Sequence, residues 1–129
     1  LDPAGVYSLE VDDLLRILSE CRDIDGVTIS GGEPFEQSTA VAALAAGIRQ
    51  QGYNLVIYSG YTFDYLLSMS REDRSIRIIL ESTWLLIDGP YRQGERDLTL
   101  PYRGSANQRI IDLPLSLRTG KPLIWSQQQ

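Results

Sequence analysis

Val27-Thr28-Ile29-Ser30-Gly31-Gly32-Glu33-Pro34-Phe35 is the most informative stretch of this chain. Three β-branched residues in succession suit a buried strand, because branching at Cβ stiffens the side chain and packs well on a pleated surface. The strand ends at Ser30. Gly31 and Gly32 then present backbone that a ligand can approach closely, Glu33 adds a carboxylate, and Pro34 fixes the exit angle. Carbonyl oxygens beside a carboxylate suit a small ligand bearing an ammonium group, held by charge-assisted hydrogen bonds. The same residues also read as a tight strand-to-helix turn with a surface glutamate. They do not form a phosphate loop, since the Lys-Ser/Thr that closes one is missing.

Working outward, residues 8–22 carry Val11, Leu14, Leu15 and Leu18 at helical spacing, with Ser8 as N-cap and acidic residues in the first turns. Asp25-Gly26 breaks the chain before the strand. Residues 38–51 repeat the helical pattern through Val41, Leu44, Ala45 and Ile48, and Gly52 stands where a left-handed C-terminal cap belongs. The unit then recurs: a strand over 54–58, a turn at Ser59-Gly60-Tyr61, a helix capped by Thr62 through Met69, a helical stretch over 71–81, and a strand over 84–88. Such alternation predicts an α/β fold with parallel strands and right-handed crossovers. Beyond Gly89-Pro90 the chain turns polar and Arg-rich, with a short strand near 109–113 and an irregular tail over 114–129. A single domain over 1–129 accounts for the pattern. In parallel α/β folds ligands gather at the carboxyl ends of strands, so the candidate site is drawn from residues 30–34, 58–61 and 88–91.

Composition narrows the chemistry. Of 129 residues 43% are hydrophobic, enough for one core. Twelve Lys and Arg against 17 Asp and Glu give a net charge of −5, which argues against a nucleic-acid partner. No run approaches the roughly 20 apolar residues that span a bilayer, and Leu1-Asp2-Pro3 is not a signal segment, so a cytoplasmic protein is expected. Cys21 is the only cysteine and histidine is absent. The chain therefore has no internal disulfide, no metal site of the usual Cys/His kind, and no ordinary Ser-His or Cys-His nucleophilic pair.

Arg103-Gly104-Ser105-Ala106-Asn107-Gln108-Arg109 concentrates guanidinium, amide and hydroxyl groups, fitting either a carboxylate receptor or a solvated turn. Cys21 shares a stripe with Leu14 and Leu18 and reads as a small core residue. Asp12-Asp13 favours the helix N-terminus. Tyr58, Tyr61 and Tyr91 fall near the loop mouths, where an aromatic ring either packs or stacks on an adenine.

Taken together, residues 27–35, Tyr58-Ser59-Gly60-Tyr61-Thr62, Leu86-Ile87-Asp88-Gly89-Pro90-Tyr91, Arg103-Gly104-Ser105 and Asn107-Gln108-Arg109 resemble the radical S-adenosylmethionine (SAM) activating enzymes. Within them, the resemblance is to the group acting on anaerobic ribonucleotide reductases, and it covers residues 9–113. It implies a partial (βα) barrel of parallel strands and a SAM ammonium held by Gly31, Gly32, Glu33 and Pro34. Ser59, Asp88, Arg103 and Asn107 are implied as further SAM-binding positions, with no catalytic residue assigned. The cofactors implied are SAM and a four-iron, four-sulfur cluster. Reductive cleavage of SAM would give a 5′-deoxyadenosyl radical that takes hydrogen from a backbone glycine of a glycyl radical enzyme. Flavodoxin or ferredoxin is the implied electron donor.

Two departures qualify the resemblance. The family's three clustered cysteines are missing, so this chain ligates no cluster, and it resembles the family from just beyond the cysteine loop, without the first strand. A lysine that meets the SAM carboxylate in some relatives is replaced by Gly89-Pro90, leaving Arg92, Arg103 or Arg109 as substitutes. The first reading is part of a glycyl-radical activase. The alternative is a cluster-less, non-catalytic module that binds SAM or docks a partner. Loss of a first strand would also leave one sheet edge unpaired.

Overall fold

The computed structural model describes residues 11–21, 23–90 and 107–126. In chain order the elements are α1 (Val11–Glu20), β1 (Gly26–Ile29), a 3₁₀ turn (Pro34–Gln37), α2 (Ser38–Gln50), β2 (Asn54–Tyr58), α3 (Phe63–Ser70), α4 (Arg74–Ser82), β3 (Leu85–Asp88), β4 (Arg109–Asp112) and α5 (Leu113–Thr119). The strands form one sheet in the order β1-β2-β3-β4. β1 pairs parallel with β2, and β2 parallel with β3.

Local chemistry sets the helix ends. Thr62 caps α3 by accepting from Tyr65 N, as its position after the second strand predicts. Gly52 follows α2 with φ +86°, the left-handed conformation expected of it. α4 starts later than residue 71 because Asp73 accepts from Ser75 N and Ile76 N and thereby fixes the first turn. The expected Ser8 cap of α1 lies outside the described residues.

Side-chain alternation divides the sheet into two faces. Leu55, Ile57, Leu86 and Ile111 face the helical side and pack with Ala45 and Ile48 of α2, Phe63 and Leu66 of α3, and Ile76, Ile79 and Leu80 of α4. Each large apolar side chain buried there stabilises the fold by about 1.5–3 kcal/mol relative to exposure. Val56, Leu85, Ile87 and Ile110 point the other way, into a second cluster with Tyr58, Trp84 and Trp125. Trp84 and Trp125 meet edge-on, 5.8 Å between ring centroids.

Three expectations are corrected. β4 runs antiparallel to β3, so the sheet is mixed, not wholly parallel. Asp88 pairs with Arg109, which places the end of β3 beside the start of β4; the connection leaves and returns at one end of the sheet and needs no crossover to the other. The stretch over 114–129 is not wholly irregular. Asp112 accepts from Leu115 N, Pro114 occupies the first turn, and Gly120 ends α5 at φ +76°. The chain then returns along β4, where Asp112 N donates to Leu123 O and Trp125 N to Ile110 O, both at 2.9 Å. Cys21, finally, is only partly buried and lies outside the core cluster; its thiol donates to Ile17 O at 3.3 Å, within the end of α1.

The two edges of the sheet differ. Leu123 to Trp125 covers β4, through a bridge between Ile111 and Ile124. β1, among the described residues, pairs on one side only, and Gly26 and Thr28 are exposed. A groove of about 350 Å³ lies along that open edge, floored by Leu14 and Leu18 of α1, Val27 and Ile29 of β1, and Leu44 and Ile48 of α2.

Candidate functional site

Parallel pairing brings the carboxyl ends of β1, β2 and β3 together, with Ile29 beside Ile57 and Tyr58 beside Ile87. The turns that follow are tied to one another by hydrogen bonds. Glu33 reaches from the first turn to the second: its Oε2 accepts from Ser59 Oγ at 2.9 Å and from its own Phe35 N at 3.1 Å, and its Oε1 accepts from Gly60 N at 2.7 Å. One turn further on, Tyr61 Oη donates to Glu36 Oε2 at 2.7 Å. Ser59 Oγ also accepts from Tyr61 N at 3.0 Å, so its hydroxyl serves both turns.

The second turn is joined to the third in the same way. Ser59 N donates to Ile87 O and Gly89 N to Tyr61 O. Asp88, 1% exposed, accepts from Phe63 N at the start of α3 at 2.7 Å. Arg109 grips the same carboxylate through two nitrogens, with Nε to Oδ1 at 2.9 Å, and also lies 3.7 Å from Asp64. Asn107 Nδ2 donates to Pro90 O and Gln108 Nε2 to Gly89 O, fixing the third turn to the entry of β4.

Two ionisable groups at this rim are shifted. The Tyr61 phenol is pushed up to about 12, first by its hydrogen bond to Glu36, then by partial loss of solvent and the Glu36 and Glu33 charges. Arg109 is raised chiefly by its hydrogen bond to Asp88, against an opposing effect of burial, with Asp64 adding to the rise.

The expected site residues thus divide. Gly31 and Gly32 are exposed at the rim, and Gly31 sits at φ +105° with no heavy atom within 4 Å of where a Cβ would stand. Pro34 is buried at the start of the 3₁₀ turn. Glu33, Ser59 and Asp88 reach the rim but spend their polar atoms on neighbouring turns, and Asn107 does so through Pro90. Arg103, Arg92 and Tyr91 lie outside the described residues. Sequence reasoning missed Glu36 as a partner of Tyr61, although its place one turn after Glu33 was a usable signal. It also missed the pairing of Arg109 with Asp88, which requires an antiparallel β4.

A mixed α/β sheet with a glycine turn at its carboxyl rim places the chain in a class that sequence comparison defines further. Residues 6–111 match the family described as a 4Fe-4S single cluster domain, and the chain belongs to that family. Its relatives include the anaerobic ribonucleoside-triphosphate reductase-activating protein of Vibrio cholerae, 30% identical over 112 residues, covering 81% of this chain and 67% of that protein. The protein of the same name from Pasteurella multocida is 32% identical over 104 residues, covering 74% and 63%. That from Haemophilus influenzae is 30% identical over 109 residues, covering 77% and 66%. The chain therefore spans about two thirds of the length of these relatives. No solved structure matches it. The radical SAM activating family read from the sequence is the one these relatives define.

The residues present fit unequally the 4Fe-4S cluster of the family's description and the SAM that the resemblance implies. The cluster does not fit: Cys21 is the one cysteine, and the described residues contain no group of three or more potential ligands among His, Cys, Asp and Glu. Cys21 also precedes β1, at the end of the sheet opposite Gly31, and β1 alone spans on the order of 13 Å. SAM fits better, because the exposed backbone of Gly31 and Gly32 offers acceptors to an ammonium group beside open space. No described helix is long and apolar enough to cross a membrane.

Proposed function

We propose that this chain forms the SAM-binding part of a glycyl-radical activase acting on an anaerobic ribonucleotide reductase. The observation that carries the reading is Gly31. Its left-handed backbone at the carboxyl end of β1 opens toward unfilled space, in a family whose named relatives activate that reductase. The carbonyls of Gly31 and Gly32 take the methionine ammonium, and the sheet face opposite the helices, with exposed Thr28 and Ser30 and half-exposed Tyr58, receives the remainder of the ligand. When bound, SAM supplies the carbon–sulfur bond whose reductive cleavage begins the family's chemistry.

The cluster ligands come from outside these 129 residues. The open edge of β1 and its apolar groove would accept a further strand bringing them, completing the partial barrel. Electrons would arrive from a flavodoxin or ferredoxin. Asp88 and Arg109 hold the third turn in shape, and the partner's glycine approaches across the same rim.

Ligand titration followed by NMR tests the reading. SAM should bind this chain more weakly than micromolar, since the iron bonds that anchor the methionine end are absent. Gly31→Ala should weaken it about tenfold or more, an energy of about 1.4 kcal/mol. Gly120→Ala is the control: Gly120 shares a positive φ and an open Cβ direction but lies at the end of α5. Equal losses in the two variants would reduce the effect to backbone strain and remove Gly31 from the site.

A further inference from the structure

Glu33 carries a carboxylate next to the proposed ammonium site, and the simplest role for it is direct contact with that charge. The hydrogen bonds point elsewhere. Of about four acceptor positions on a carboxylate, Glu33 fills three within the protein: Phe35 N, Ser59 Oγ and Gly60 N. Two of these donors belong to the turn after β2, so the side chain crosses from one strand end to the next. Gly60 lies against the carboxylate, since a Cβ there would stand in ordinary contact with Glu33 Oε1, at 3.5 Å. The open space lies beside Gly31 instead.

Ser59 reinforces the arrangement. Buried at 5% exposure, it donates its hydroxyl proton to Glu33 and accepts from Tyr61 N, so it has no hydroxyl proton left for a ligand. A second strap, from Tyr61 to Glu36, runs parallel to the first. The two turns are thereby locked at a fixed spacing by acidic side chains from the first and donors from the second.

We propose that Glu33 is a positioning residue, a strap that holds the turns after β1 and β2 together so that the Gly31 and Gly32 carbonyls receive the ammonium of SAM. The ligand identity rests on the function proposed above; the strap itself does not. Glu33 shapes the site through Ser59 and Gly60 and does not act as the counter-charge.

The test uses Glu33→Ala, Ser59→Ala and the double variant, with two readouts. Without ligand, exchange of the Gly60 amide should accelerate in Glu33→Ala by about ten- to a hundredfold, the range for a lost hydrogen bond to a charged acceptor. With SAM as the probe, Glu33→Ala should weaken binding by about tenfold or more, and Ser59→Ala should add little in the double variant because both act on one strap. Unchanged Gly60 exchange would overturn the proposal. So would fully additive losses of SAM affinity, which signify direct contact by Glu33. If the unsubstituted chain binds no SAM at all, the functional reading fails, while Gly60 exchange still decides whether the strap exists.

Discussion

At the scale of the residue, the rim is governed by acidic side chains that accept several donors each. Asp88 is the most buried, and it satisfies both the first amide of α3 and the Arg109 guanidinium. Asp88→Ala would strand Phe63 N and leave Arg109 with only Asp64. Arg109 is about a third exposed, which lets water compensate in part, so the loss should be about 2–4 kcal/mol, toward the lower end for a broken buried pair. Urea denaturation gives the value, and a loss below 0.5 kcal/mol would show that the pair is not structural. Tyr61 gives a pH-dependent counterpart. Its phenol ionises near 12 when folded, against 10.0 ordinarily, so the protonated form is the one favoured by the fold. The stabilisation is fully present below pH 10 and is lost as pH rises through about 12. Ultraviolet titration should show a late-ionising tyrosine, and Glu36→Gln should bring it back toward the ordinary range. No change on that substitution would separate Tyr61 from Glu36.

At the scale of the element, α1 is the least anchored helix: none of its residues is buried, and it rests on α2 where Gly47 meets Leu15. A Cβ on Gly47 would fall 2.4 Å from one Leu15 methyl and 2.6 Å from the other. Alanine raises helix propensity by up to about 1 kcal/mol, but both methyls and the carbon joining them stand in the way. Gly47→Ala should therefore push α1 off, speeding amide exchange in α1 by about tenfold, as overpacking by 1–3 kcal/mol implies, while β2 and β3 keep their protection. Equal α1 protection in Gly47→Ala and in the unsubstituted chain would mean Leu15 simply turns aside. The elements themselves were largely legible. Strands with β-branched runs, Gly52 and Thr62 announced their own ends because they act through neighbouring backbone. The direction of β4 was hidden, since antiparallel pairing at Asp88 and Arg109 depends on where a 20-residue connection returns. α5 was hidden by its brevity, although Asp112, Pro114 and Gly120 each fit their cap positions. In the site, the exposed glycines were readable from type and spacing. The partners of Glu33, Glu36 and Asp88 in the neighbouring turns were not, because they lie 21 to 27 residues away along the chain.

At the scale of the molecule, the division of labour between the two ends of the sheet leads to the last prediction. The straps between the turns that follow the strands stand at the carboxyl rim, while Cys21 lies before β1, at the amino end, where Tyr53 Oη donates to Leu18 O and Cys21 O; the thiol is partly buried and turned to Ile17 O. A four-iron cluster needs three or four thiolates or equivalent ligands converging on one point. A single thiol at the far end of the strand supplies neither the number nor the place. Anaerobic reconstitution of this chain with iron and sulfide should therefore leave well under one cluster per chain, and Cys21→Ser should not change the little iron retained. Four irons per chain with charge-transfer absorption would refute this. If that absorption disappeared in Cys21→Ser, the thiol would be a ligand, and the cluster would sit at the amino end of the sheet. Iron retained by the serine variant would instead point to carboxylates, which the described residues do not gather in groups of three. With neither result, these residues hold no cluster by themselves, and a four-iron cluster at the proposed site takes its thiolates from elsewhere.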